Sequence, residues 1–143
     1  MNDAYVGGVT SIVRRWLEWA EGRGYRAAVL VDAPDSKGLR GAELQGTVTR
    51  ICGKLRNLCE WHGAEYVEFG NGGRRGVSGR RCPLRGRRME LIAKEGGRRV
   101  YYCEHCLVLA DRDFAACWNM ALKYLEDREE EIRALLRRLG PRA

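Results

Sequence analysis

The sequence predicts an α/β fold carrying a small hairpin module ahead of its last helix. Three observations point there. A short, nearly all-apolar run at 26–32 (RAAVLVD) is followed by a long helical stripe and then by a second strand-like run at 64–69 (AEYVEF), the alternation that builds α/β sheets. Two further strand segments, 89–93 and 100–102, are joined through KEGGRR, whose paired glycines suit a tight hairpin turn. This hairpin separates Cys82 from Cys103 and Cys106. Residues 78–110 therefore have the plan of a degenerate zinc ribbon inserted into a single domain of residues 1–143.

Taken in order, Thr10 or Ser11 is expected to cap a first helix whose apolar positions Val9, Ile12, Val13, Trp16, Leu17 and Ala20 recur at helical spacing. Gly22 and Gly24 end it. The run 26–32 reads as a strand covered on both faces and ends in Asp32, at the strand terminus where α/β folds place ligands. Residues 33–41 (APDSKGLRG) form a loop. A second helix carries Leu44, Val48, Ile51, Leu55 and Leu58 along one stripe and ends at Gly63. After the strand at 64–69 comes a basic glycine-rich loop (NGGRRGVSG), then the hairpin. The last helix runs from Arg112 toward Leu139, with Phe114, Cys117, Trp118, Ala121, Leu122 and Leu125 on one face. Its charged middle (EDREEE) suggests that its final turns extend away from the body.

Composition narrows the function classes. With 45% hydrophobic and 31% charged residues, the chain can bury a core and is not compositionally disordered. No apolar run approaches the roughly 20 residues of a membrane span, and no signal-peptide pattern opens the sequence; the expected location is cytoplasmic, without membrane contact. Six cysteines in that setting suit ligands or buried thiols better than disulfides. Cys52 and Cys59, seven apart on a helix, are expected to be buried as small apolar residues.

The net charge of +7 is concentrated in one block. Between residues 71 and 100 stand Arg74, Arg75, Arg80, Arg81, Arg85, Arg87, Arg88, Lys94, Arg98 and Arg99 against Glu90 and Glu95, so the rest of the chain is nearly neutral. Guanidinium groups bond two phosphate oxygens at once. An arginine block of this kind suits DNA or RNA as partner; the plainer reading is a solvated surface loop.

Two sets of residues can carry metal chemistry. Cys103 and Cys106 (CEHC) are spaced as one pair of a zinc ribbon, but in CPLRG the partner of Cys82 is replaced by Arg85, which cannot ligate zinc. Two readings stay open: zinc held by Cys82, Cys103 and Cys106 with His105 or an unforeseen residue as fourth ligand, or a ribbon that keeps its shape by packing without metal. Asp111 and Asp113 stand at a helix start, where carboxylates are favoured in any case. Joined by Asp32, the acids also suggest a Mg²⁺ or Mn²⁺ site for phosphodiester hydrolysis.

The segments VLVDAPDS, LRNLCEWHGAEYVEF, CPLRG, YYCEHC and DRDFAACWNM, in that order, resemble the C-terminal part of the OrfB/TnpB transposon-associated proteins, RNA-guided nucleases akin to type V CRISPR effectors. The resemblance covers most of this chain and only that part of the family's length. It implies an RNase H/RuvC-like fold with the ribbon inserted before the last helix. It also implies that Asp32 matches the family's second catalytic carboxylate, normally glutamate, and Asp113 the third, with Asp111 as its neighbour. Ala115 stands where the family has asparagine, and Arg85 where it has a zinc thiolate. The family's first catalytic aspartate precedes the first helix, where Asp3 is the acid at hand. The expected function is therefore nucleic-acid binding without robust cleavage, with an active Mg/Mn-dependent endonuclease using Asp32 and Asp113 as the alternative. An exposed sheet edge leaves both a monomer and a homodimer open.

Overall fold

The structure, a computed structural model, describes residues 2–33, 41–70 and 77–139. It mixes helix and strand as expected: three helices and two small sheets, divided between two units, Met1–Arg74 and Arg75–Ala143. The loops expected at 33–41 and 71–79 fall largely outside the described residues. No helix among the described residues is long and apolar enough to cross a membrane.

In the first unit, α1 (Asn2–Glu21) leads to β1 (Ala28–Ala33), α2 (Ala42–His62) and β2 (Glu65–Gly70). The two strands pair in parallel, Ala28 opposite Glu65 through Ala33 opposite Gly70, and α2 is the crossover between them. Gly63 stops α2 in a left-handed conformation, φ 63°, as its position after the stripe led one to expect. Ala64 N–H then closes the end on the Cys59 carbonyl at 2.8 Å. Helices α1 and α2 pack against one another. Glu21 and His62 meet across their ends at 2.8 Å.

Several expectations for this unit are corrected. Helix α1 starts at Asn2, well before Thr10. Thr10 lies inside it, buried, with its hydroxyl donating to the Val6 carbonyl at 2.9 Å, so it caps nothing. The buried stripe is Val6, Thr10, Leu17 and Ala20, while Ile12 and Trp16 are exposed. Trp16, Trp19 and Tyr25 instead pack on each other at the end of α1, with Arg23 over the Trp19 ring. Asp3 sits in the first turn of α1 and is held by the Arg50 guanidinium, which keeps its carboxyl below the usual range. Strand β1 is only half-buried and Asp32 is exposed, because a two-stranded sheet has too little cover to enclose both faces. Cys59 is fully buried and burial raises its thiol pKa, in keeping with an apolar role; Cys52 is half-buried.

In the second unit, β3 (Glu90–Glu95), β4 (Arg98–Cys103) and β5 (Val108–Asp111) form an antiparallel sheet in that order, followed by α3 (Arg112–Leu139). Gly96 and Gly97 make the hairpin turn with φ of 51° and 83°, a conformation few other residues adopt cheaply. Strand β5 has no counterpart in the sequence reading. The core is Cys82, Met89, Tyr101, Cys103, Ala110 and Ala115, with Cys106 packed against it. Alternation along β4 puts Tyr101 and Cys103 on one buried face.

The face of α3 expected to pack is the exposed one: Phe114, Cys117, Trp118, Ala121, Leu122 and Leu125 all lie open, and the helix seats itself through Ala115 and Met120. The chain also comes close at the start of the helix. A Cβ on Gly79 would lie 2.1 Å from the Arg112 carbonyl oxygen. After Met120 no described side chain is buried, consistent with the expectation that the last turns extend away.

These close approaches set a test. Gly79→Ala is expected to destabilise the second unit by about 1–3 kcal/mol, the usual cost of forcing atoms into a filled site. Gly53→Ala, inside α2 with nothing within 4 Å, is expected to stabilise by up to about 1 kcal/mol. Urea unfolding of both variants reads the contrast.

Candidate metal centre and arginine face

Cys82, Cys103 and Cys106 come together although the hairpin separates the first from the other two: their sulfur atoms all lie within 4.8 Å of one another. Two turns bring them there. In the first, Cys82 N–H donates to the Arg87 carbonyl and Gly86 N–H to the Cys82 carbonyl, each at 2.7 Å, and Gly86 takes φ 67°. In the second, residues 103–107, Leu107 takes φ 54° and is the one non-glycine residue with positive φ among those described. Gly86 follows Arg85 as Leu107 follows Cys106. The two turns thus correspond in spacing and in this one left-handed residue, and Arg85 stands where the second turn has a thiol.

The surroundings of the sulfurs favour thiolate at one of them. Burial pushes the Cys82 thiol up, but backbone N–H groups of Leu84 and Arg85 and the thiols of Cys103 and Cys106 hydrogen-bond to it and outweigh that effect, so its pKa falls below the ordinary cysteine value. Burial first, then the two neighbouring sulfurs, lift Cys106 to about 11. Three negative sulfurs at this distance repel one another, and a cation between them removes that cost. Three thiolates served by amide donors are a fit donor set for zinc. These cysteines can hold such a metal.

His105 does not join them. Its ring is half-exposed, with Nε2 3.5 Å from Glu104 Oε1, and it is not among the clustered ligands. All six cysteines and both histidines lie within the described residues, and no further His, Cys, Asp or Glu among those residues joins the three sulfurs.

The first turn is clamped to α3. Asn119 Nδ2 donates to the Ser78 carbonyl at 2.8 Å and to the Arg81 carbonyl at 3.0 Å. Met89 N–H donates to the Arg80 carbonyl at 2.8 Å. Sequence reasoning passed over Asn119; a polar residue among Cys117, Trp118 and Met120 was the signal for it.

The acids behave differently from the cysteines. Asp111 Oδ1 accepts the N–H groups of Asp113 at 2.9 Å and Phe114 at 3.3 Å, so it caps α3. Asp113 is exposed and accepts a bond from Arg112 Nε at 3.0 Å. Asp32 belongs to the first unit, at the end of β1 beside Phe69.

Of the arginine block, Arg74 and Arg75 lie outside the described residues. Arg80, Arg81, Arg85, Arg87, Arg88, Arg98 and Arg99 are all exposed. Arg81 donates to the Gly86 carbonyl at 3.0 Å. None of the seven forms an ion pair with a carboxylate among the described residues. A depression of about 700 Å³ is lined by Arg80, Arg88, Met89, Glu90, Leu91 and Tyr101.

No known protein-family model matches the chain, and no curated protein is detectably similar to it.

The role of Asp111 is separable by substitution. Asp111→Ala is expected to cost about 1 kcal/mol in thermal unfolding, whereas Asp111→Asn, an equally good cap, is expected to cost little.

Proposed function

We propose that this chain binds nucleic acid through the arginine face of a metal-stapled hairpin, and that it is a diverged relative of the C-terminal part of the OrfB/TnpB nucleases without robust cleavage. The observation that carries the binding reading is the set of seven exposed arginines without carboxylate partners, gathered on the unit that holds the three cysteines. Guanidinium groups left unpaired on a firm frame are free to meet phosphate oxygens. The frame matters, because arginines on a mobile loop lose more entropy on binding.

Zinc on Cys82, Cys103 and Cys106 would supply a charge-neutralising staple where the core is thin. The second unit is about 70 residues long, a size at which apolar burial alone is marginal. Two of its six core residues are cysteines. In the family reading, the strand, crossover helix and strand of the first unit would be part of a RuvC-like sheet, with Asp32 and Asp113 as surviving acids. The cap formed by Asp111 supports the reading in which that acid serves the helix instead of a magnesium or manganese ion.

Two measurements test this. Metal analysis of the purified chain is expected to give about one zinc per chain, and chelation is expected to melt the β3–β5 sheet, read by loss of circular dichroism and amide protection. Fluorescence anisotropy with labelled single-stranded DNA and RNA is expected to show affinity falling steeply with salt, by about 0.7 in log–log slope for each phosphate contacted. Changing Arg80, Arg81, Arg87 and Arg88 together to Ala is expected to flatten that slope; an unchanged slope would remove the arginine face from the reading. With Mn²⁺, the native chain, Asp32→Ala and Asp113→Ala are expected to share one low background of cleavage. Cleavage lost in both variants would favour the nuclease.

A further inference from the structure

The fourth coordination position is the one Arg85 vacates. The first turn carries a left-handed residue directly after Arg85, as the second does after Cys106, and its amides at Leu84 and Arg85 already serve the Cys82 sulfur. In spacing it is a two-thiolate turn with one thiolate missing. The Arg85 side chain is exposed and has no partner among the described residues. No carboxylate or imidazole of the described residues takes the vacant place.

What lies beside Cys82 and Arg85 is open and positive. A depression of about 310 Å³ is lined by the whole first turn, Cys82 to Gly86, and across from it by α3 residues that include Asn119, Lys123 and Glu126. Arg81, Arg85 and Lys123 bring three positive charges to its lining against Glu126. Lys123 is held by Asp127 at 3.2 Å and is near Glu126 at 3.7 Å; Arg81 is engaged with the Gly86 carbonyl. Arg85 is therefore the free cation of the three. A divalent ion on three thiolates carries one net negative charge, so Arg85 stabilises the loaded centre. An anion entering as fourth ligand adds a second negative charge, and the same lining offsets it. Sites that keep one position open to outside ligands are the ones metals use for exchange, in contrast to closed four-thiolate staples.

We propose that the three-cysteine centre keeps its fourth metal position open for an exogenous anionic ligand, received in the depression between the first turn and α3 with Arg85 as its countercharge. This rests on the reading that Cys82, Cys103 and Cys106 hold a metal, and cobalt(II) separates the two ideas because its spectrum reports both loading and ligand exchange. The chain is loaded with one equivalent of cobalt and titrated with sodium azide at constant ionic strength. Thiolate-to-cobalt bands on loading are expected, followed by a saturable shift of the visible d–d bands with azide. Arg85→Cys is expected to load cobalt and to ignore azide, because the added thiolate closes the position. Arg85→Ala is expected to keep the azide response with affinity lowered about two- to fivefold, the size of one screened surface charge.

Cobalt bands that azide leaves unmoved in the native chain would overturn the open position while leaving the metal reading intact. Absence of thiolate-to-cobalt bands would overturn the metal reading and this inference with it. Unchanged azide affinity in Arg85→Ala would remove Arg85 as countercharge. If Arg85→Cys fails to fold, the native titration still decides the matter.

Discussion

The convergence of three sulfurs to within 4.8 Å of one another is the constraint on which the second unit turns. Everything local to it works to put them there. The hairpin turn at Gly96 and Gly97 returns the chain so that Cys103 arrives beside Cys82, and the turn after it swings Cys106 onto the same point. Such a cluster is a poor core if its thiols must stay neutral for want of a cation, since sulfur packs only as a small apolar group. With a cation it becomes the strongest cross-link the unit has. The first unit needs no such device, because long helices α1 and α2 bury Val6, Leu17, Leu55 and Cys59 in the usual apolar way.

Acids and arginines are used differently in this chain. The acids that looked like chemistry are largely committed to structure: Asp111 to the first turn of α3, Asp113 to Arg112, Asp3 to Arg50. The arginines of the block have no carboxylate partner among the described residues, and the Arg81 side chain alone donates to a backbone carbonyl, that of Gly86.

What could be read from residues alone was punctuation. Gly63 after a clean stripe, Gly96–Gly97 between two strand runs, and Asp111 before a helical pattern each marked an element end that the structure places within a residue or two. Faces were harder. Ile12, Trp16, Phe114 and Trp118 are large and at helical spacing, yet they are exposed; the buried stripes run instead through Val6, Leu17 and Ala20 on α1 and Ala115 and Met120 on α3. The start of α1 was hidden by Gly7 and Gly8, whose low helix propensity is overridden by packing of Val6. Four-residue β5 is too short to show a period. The sulfur cluster was half legible: the spacing of Cys103 and Cys106 announced it and Arg85 argued against it. The structure adds that Cys82 joins the other two sulfurs although Arg85 replaces its own partner thiol.

Leu107 gives the two turns unequal independence. Gly86 adopts its left-handed conformation almost without cost, whereas a leucine with φ 54° pays about 1–2 kcal/mol, so its conformation must be imposed by what surrounds it. The first turn therefore holds its form at little backbone cost, while the second depends on the packing of Cys103 and Cys106 in the core to hold it.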